Sequence, residues 1–88
     1  MKFKFSGNLL RYVDYSREVE VLAGTLGEAV TKLGEKFPEA KKVVLGQDGE
    51  IRAVNRTFIN GNLQHKPELG QALAPEDVVA FLTVIAGG

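Results

Sequence analysis

The stretch that most constrains this chain is its last, "VVAFLTVIAGG", residues 78–88. A near-continuously apolar run of strand length cannot tolerate a fully solvated face. It belongs in the middle of a sheet, or in a strand with something covering its second side. The rest of the chain must therefore supply strands to flank it and a layer to cover it.

Flanking strands are legible near the start. "KFKF" alternates, with Phe3 and Phe5 on one side and Lys2 and Lys4 on the other, as in a half-buried strand. Ser6, Gly7 and Asn8 interrupt it. "SREVEVL" alternates again, with Val19 and Val21 opposite Glu18 and Glu20. The two runs suit an antiparallel hairpin closed by a long, irregular loop. "IRAVNRTFI" reads as a third strand, followed by the turn signal Asn60-Gly61 and a very short strand.

The covering layer comes from "TLGEAVTKLGEKF". Leu26, Ala29, Val30, Leu33 and Phe37 recur at helical spacing and form one stripe. Thr25 and Glu28 make a T-x-x-E capping box at the start, and Pro38 stops the helix at Phe37. "EAKKVVLG" reads as a further short helical turn, and "GQDGE" as a tight turn. One main helix covers one face of a sheet and leaves the other open. The order strand, strand, helix, strand, short strand, strand predicts an α+β, β-grasp (ubiquitin-like) fold. That fold has a mixed sheet of four to five strands, with the first and last parallel in the centre and the crossover right-handed. With 88 residues the chain is read as one domain, 1–88, carrying a flexible Gly-Gly tail at 86–88.

Charge and cysteine content narrow the function. Eleven basic residues balance eleven acidic ones, which argues against nucleic acid as a partner. The absence of cysteine removes disulfides, zinc–thiolate sites and a cysteine nucleophile, and favours the cytoplasm. No run has the length of a membrane span, and the first ten residues lack a signal-peptide core.

No catalytic constellation emerges. His65 stands alone in a polar loop, with no second histidine or cysteine to share a metal. Glu18 and Glu20 suit a solvated strand face, Glu76 and Asp77 a turn, and Ser6 and Ser16 have no neighbouring base. "GTLGEA" lacks the lysine and spacing of a phosphate loop. Binding is better supported. Alternation along the last strand turns Val79 and Phe81 toward the helix, leaving Ala80, Leu82 and Val84 on the uncovered side. A contiguous apolar patch there marks a partner site. Gly87 and Gly88 follow at once, slender enough to thread a narrow channel. A carboxylate on such a tail can be converted by an ATP-using partner to an acyl-adenylate, and a sulfur donor can then displace AMP.

Four segments resemble the MoaD/ThiS family of sulfur carriers, prokaryotic relatives of ubiquitin: "LLR" at 9–11, "TLGEAVTKL" at 25–33, "AVNRTFI" at 53–59 and "EDVVAFLTVIAGG" at 76–88. The third resembles the Val-Asn segment of the small subunit of molybdopterin synthase. The resemblance implies that Gly88 is adenylated by a ubiquitin-activating-type enzyme and then thiocarboxylated, with Gly87 as its slender approach. It implies docking through Ala80, Leu82, Val84, Ile85 and Phe58, with Arg11 meeting an acidic patch. No cofactor is expected to be bound tightly, and ATP is used by the partner. The implied acceptor is foremost the molybdopterin precursor, on a synthase large subunit. Thiamine, cysteine or methionine synthesis, tRNA thiolation, and conjugation to lysines as a protein modifier are alternatives.

Overall fold

A computed structural model of the chain describes residues 1–83. The elements run β1 (Lys2–Lys4), a 3-10 helix (Gly7–Val13), β2 (Glu18–Glu20), α1 (Leu26–Lys36), α2 (Pro38–Val44), β3 (Asn55–Ile59), β4 (Asn62–Gln64) and β5 (Val78–Thr83). The sheet order is β2-β1-β5-β3-β4, so the last strand is the middle one. β1 and β5 are parallel, and the other three pairings are antiparallel. This is the expected β-grasp arrangement. Val84, Ile85 and the 86–88 tail lie outside the described residues.

Helix α1 forms for the reasons its sequence advertises. Thr25 is extended, and its hydroxyl accepts from the Glu28 amide at 3.1 Å, satisfying one of the free donors of the first turn. Leu26, Ala29, Val30 and Leu33 are buried, one stripe at helical spacing. Phe37 leaves helical geometry ahead of Pro38, and α2 starts on that proline, where a missing amide hydrogen costs nothing. The anticipated short turn is thus a full second helix, burying Ala40 and Val44.

These stripes meet the inner face of the sheet. Phe3, Phe5 and Phe81 form an aromatic triad with ring centroids 5.7–6.3 Å apart, surrounded by Val19, Val79, Leu26 and Leu33. Each such side chain, fully buried, stabilises the fold by about 1.5–3 kcal/mol.

Two local expectations are corrected. The β1–β2 connection is a 3-10 helix, not an irregular loop, because Leu9 and Val13 turn inward and close one end of the core. It unwinds through Asp14 and Tyr15, both in left-handed backbone (φ 53° and 60°), and the Tyr15 amide donates to Leu10 at 2.8 Å. The third strand starts only at Asn55. Ile51 bridges Leu45, and the Asn55 amide donates to the Arg52 carbonyl at 3.0 Å, so a turn takes residues 52–55 out of the ladder. The Asn60-Gly61 hairpin is as expected, with positive φ at both positions (51° and 82°).

Candidate functional site

Strand alternation divides β5 cleanly. Val79 and Phe81 are buried, while Val78, Ala80 and Leu82 lie on the opposite face, away from the helices. The register of β3 then decides what stands beside them. Phe58 pairs with Ala80 and Arg56 with Leu82, so both share the open face. On the far side Leu63 of β4 pairs with Phe58. The result is an apolar strip of Val78, Ala80, Leu82, Phe58 and Leu63 across the sheet's centre, with Leu82 48% exposed.

The strip has charged margins. On one side are Lys2 and Lys4 of β1 and Glu18 and Glu20 of β2, with Lys2 and Glu18 3.3 Å apart. On the other is exposed Arg56. An apolar centre with a polar rim is the anatomy of a protein-binding patch. Of the anticipated contacts, Ala80, Leu82 and Phe58 are brought together here, and Phe58 is resolved as a half-buried open-face residue. Arg11 is not part of the strip. It is exposed on the 3-10 helix, at the end of the sheet where parallel strands β1 and β5 both finish. Val84, Ile85, Gly87 and Gly88 lie outside the described residues.

The root of the tail has a structure that sequence reasoning missed. Asn55 is only 6% exposed. Its amide nitrogen donates to the carbonyls of Val43 and Val44, and its amide oxygen accepts from the Thr83 hydroxyl at 3.1 Å. The signal available was an asparagine at the head of β3, a side-chain amide that needs partners once buried.

The opposite end of β5 is fixed by Asp77. Its carboxylate accepts from the Asn60 side chain at 3.0 Å and from the Ala74 amide at 2.8 Å, and these bonds hold its pKa below the ordinary 3.8. Asn60 in turn accepts from the Val78 amide at 3.0 Å. The Asp77 carboxylate is therefore a strand-start cap rather than a reactive group. Among the described residues no cluster of histidine and carboxylate side chains could hold a metal, and no helix is long and apolar enough to cross a membrane.

Beyond this central strand with its open apolar face, the sequence continues through Val84, Ile85 and Ala86 to Gly87 and Gly88. The ThiS family model matches residues 4–88. The chain belongs to the ThiS family. SAMP1 from Haloferax volcanii is 29% identical, covering 99% of this chain and 97% of that one, with a TM-score of 0.78. CysO from Mycobacterium tuberculosis is 16% identical over 96% of this chain and 98% of that one, with a TM-score of 0.83. A BexX/CysO complex from Amycolatopsis orientalis contains a chain 15% identical, covering 99% and 98%, with a TM-score of 0.78. No curated protein matches the chain. The ThiS family and its structural neighbours are small ubiquitin-like sulfur carriers and modifiers rather than enzymes.

Proposed function

We propose that this ThiS-family chain is a sulfur carrier whose working group is the Gly88 carboxylate. Its oxygen attacks the α-phosphorus of ATP on a ubiquitin-activating-type enzyme. Pyrophosphate leaves and an acyl-adenylate forms. A sulfur nucleophile at the oxidation level of hydrosulfide then attacks the acyl carbon, AMP leaves, and a thiocarboxylate remains. No side chain of the carrier takes part in either step.

The observation that carries this reading is the ThiS match running through Gly87 and Gly88, a few residues along the sequence from the strand that bears the open apolar strip. The strip supplies the affinity for partner enzymes. Binding of the body then makes the terminal reaction effectively intramolecular. The likeness of residues 53–59 to the molybdopterin synthase small subunit makes the pterin precursor the first acceptor to test, on a synthase large subunit.

A second reading shares the first step. SAMP1 is by name a modifier, and its 29% identity across 99% of this chain favours transfer of the Gly88 acyl group to lysines. In that case a lysine amine displaces AMP and an isopeptide bond forms.

Mass spectrometry of the C-terminal peptide separates the outcomes. The chain, without a C-terminal tag, is incubated with adenylating enzyme, ATP and sulfide. The carrier reading predicts exchange of one carboxylate oxygen for sulfur on Gly88. The modifier reading predicts Gly88 joined to lysine peptides of other proteins. Absence of both, with no ATP–pyrophosphate exchange, refutes both.

A further inference from the structure

We infer that Asn55 and Thr83 form a clamp that fixes the described end of β5, the strand that precedes residues 84–88 in sequence, and that Asn55 is a positioning residue for the terminal reaction. The functional half of this inference rests on the carrier reading; the structural half does not.

The geometry is specific. Asn55 is the first residue of β3 and pairs with Thr83, the last described residue of β5. Both lie where the ladder ends, and strand ends ordinarily open first. Here the end is tied three ways. The Asn55 amide nitrogen donates to Val43 at 2.7 Å and to Val44 at 3.5 Å, carbonyls in the last turn of α2. The Asn55 amide oxygen accepts from Thr83 at 3.1 Å. One buried side chain thereby fastens the end of the central strand to a helix. Asn55 also uses its backbone amide in the 52–55 turn, so main chain and side chain are both committed. A buried amide satisfied on both its oxygen and its nitrogen rigidifies its surroundings.

The consequence follows from reach. Five residues separate Thr83 from the Gly88 carboxyl, and extended chain spans about 3.3–3.6 Å per residue. Covalent geometry therefore limits the reacting carbon to within roughly 17 Å of Thr83. A root free to swing spreads that carbon over a larger volume, whereas a fixed root narrows the search. The clamp does not touch the open-face strip, so releasing it should leave docking intact.

Thr83→Val removes the hydroxyl and keeps the branched shape; Thr83→Ser keeps the hydroxyl. With an adenylating enzyme that accepts the wild-type chain, ATP–pyrophosphate exchange is measured against carrier concentration. Thr83→Val is expected to lower kcat about tenfold, the scale set by freeing roughly one backbone residue, at unchanged KM. Thr83→Ser is expected to restore it. A fall in melting temperature with both constants unchanged, a rise in KM alone, or failure of serine to rescue overturns the inference. Hydrogen exchange at the Arg56 and Leu82 amides is read in parallel on the isolated chain. Faster exchange in Thr83→Val than in Thr83→Ser supports the clamp even if the wild type supports no adenylation, in which case the carrier reading alone fails. Equal exchange overturns the clamp itself.

Discussion

Phe81 and Leu82 are adjacent, similar in hydrophobicity and opposite in orientation, so truncating each to alanine tests the face assignment directly. Phe81 is 1% exposed and stacks on Phe3 with centroids 5.7 Å apart. Phe81→Ala removes a core aromatic and leaves a cavity, a change that costs about 3–5 kcal/mol. A chain of this size has roughly 4–13 kcal/mol of stability in all. At about 4–8 °C per kcal/mol for so small a domain, the melting temperature should fall by roughly 12–40 °C. Leu82 is already 48% exposed, so Leu82→Ala should cost only about 1 kcal/mol of folding stability. Its effect belongs to the complex. An apolar residue near the centre of a binding patch contributes on the order of 2 kcal/mol, or about thirtyfold in Kd. Thermal melts followed by circular dichroism, with calorimetric titration against the adenylating enzyme, read both numbers. The reasoning fails if Leu82→Ala melts as low as Phe81→Ala, or if it folds normally and binds within threefold of wild type.

Three further perturbations address how the fold holds the site. Gly61→Ala places a side chain at φ 82° in open space, so conformational strain alone should cost about 1–2 kcal/mol in a urea titration. Thr25→Ala deletes the hydroxyl that accepts from Glu28 and should cost about 1 kcal/mol, with Thr25→Ser recovering most of it. Asp77 has a pKa lowered in the folded chain, first by the Asn60 side chain and then by the Ala74 amide. Its stabilisation is present above 3.8 and is lost as pH falls through the lower folded-state value. Melting temperature should therefore drop more steeply with acid below that point in wild type than in Asp77→Ala, and parallel profiles would contradict this.

The sequence was informative where structure follows from local periodicity. Alternation in residues 2–5, 18–21 and 78–83 gave three strands and their faces, and the 26–33 stripe with its Thr25 cap gave the main helix. It was uninformative where tertiary partners decide. Ile51–Val54 look strand-forming, yet the Arg52–Asn55 turn removes them from the ladder. Gly7–Val13 hold apolar residues at 9, 10 and 13, a pattern that specifies no regular element until Leu9 and Val13 find the core. The face of Phe58 follows from its register with Ala80, a contact between strands distant in sequence, and not from local pattern. The role of Asn55 is hidden for the same reason, since its partners at Val43, Val44 and Thr83 are all remote.

The central position of β5 suits it to anchor the segment that follows it in sequence. Strand ends and sheet edges open at low free energy, while the centre opens only with the whole domain. A tail leaving β4 would be attached to a three-residue edge strand. Leaving β5, it is attached to the strand paired on both sides, whose inner face holds Phe81 and Val79 in the core. The same strand bears Ala80 and Leu82 on its outer face. In the proposed function, the docking surface and Thr83 therefore belong to one strand, and a partner that grips the first holds the second without a separate conformational change. A strand whose inner face fills the core and whose outer face is the proposed docking surface must be apolar on both faces. That is the physical origin of the unbroken "VVAFL" at residues 78–82.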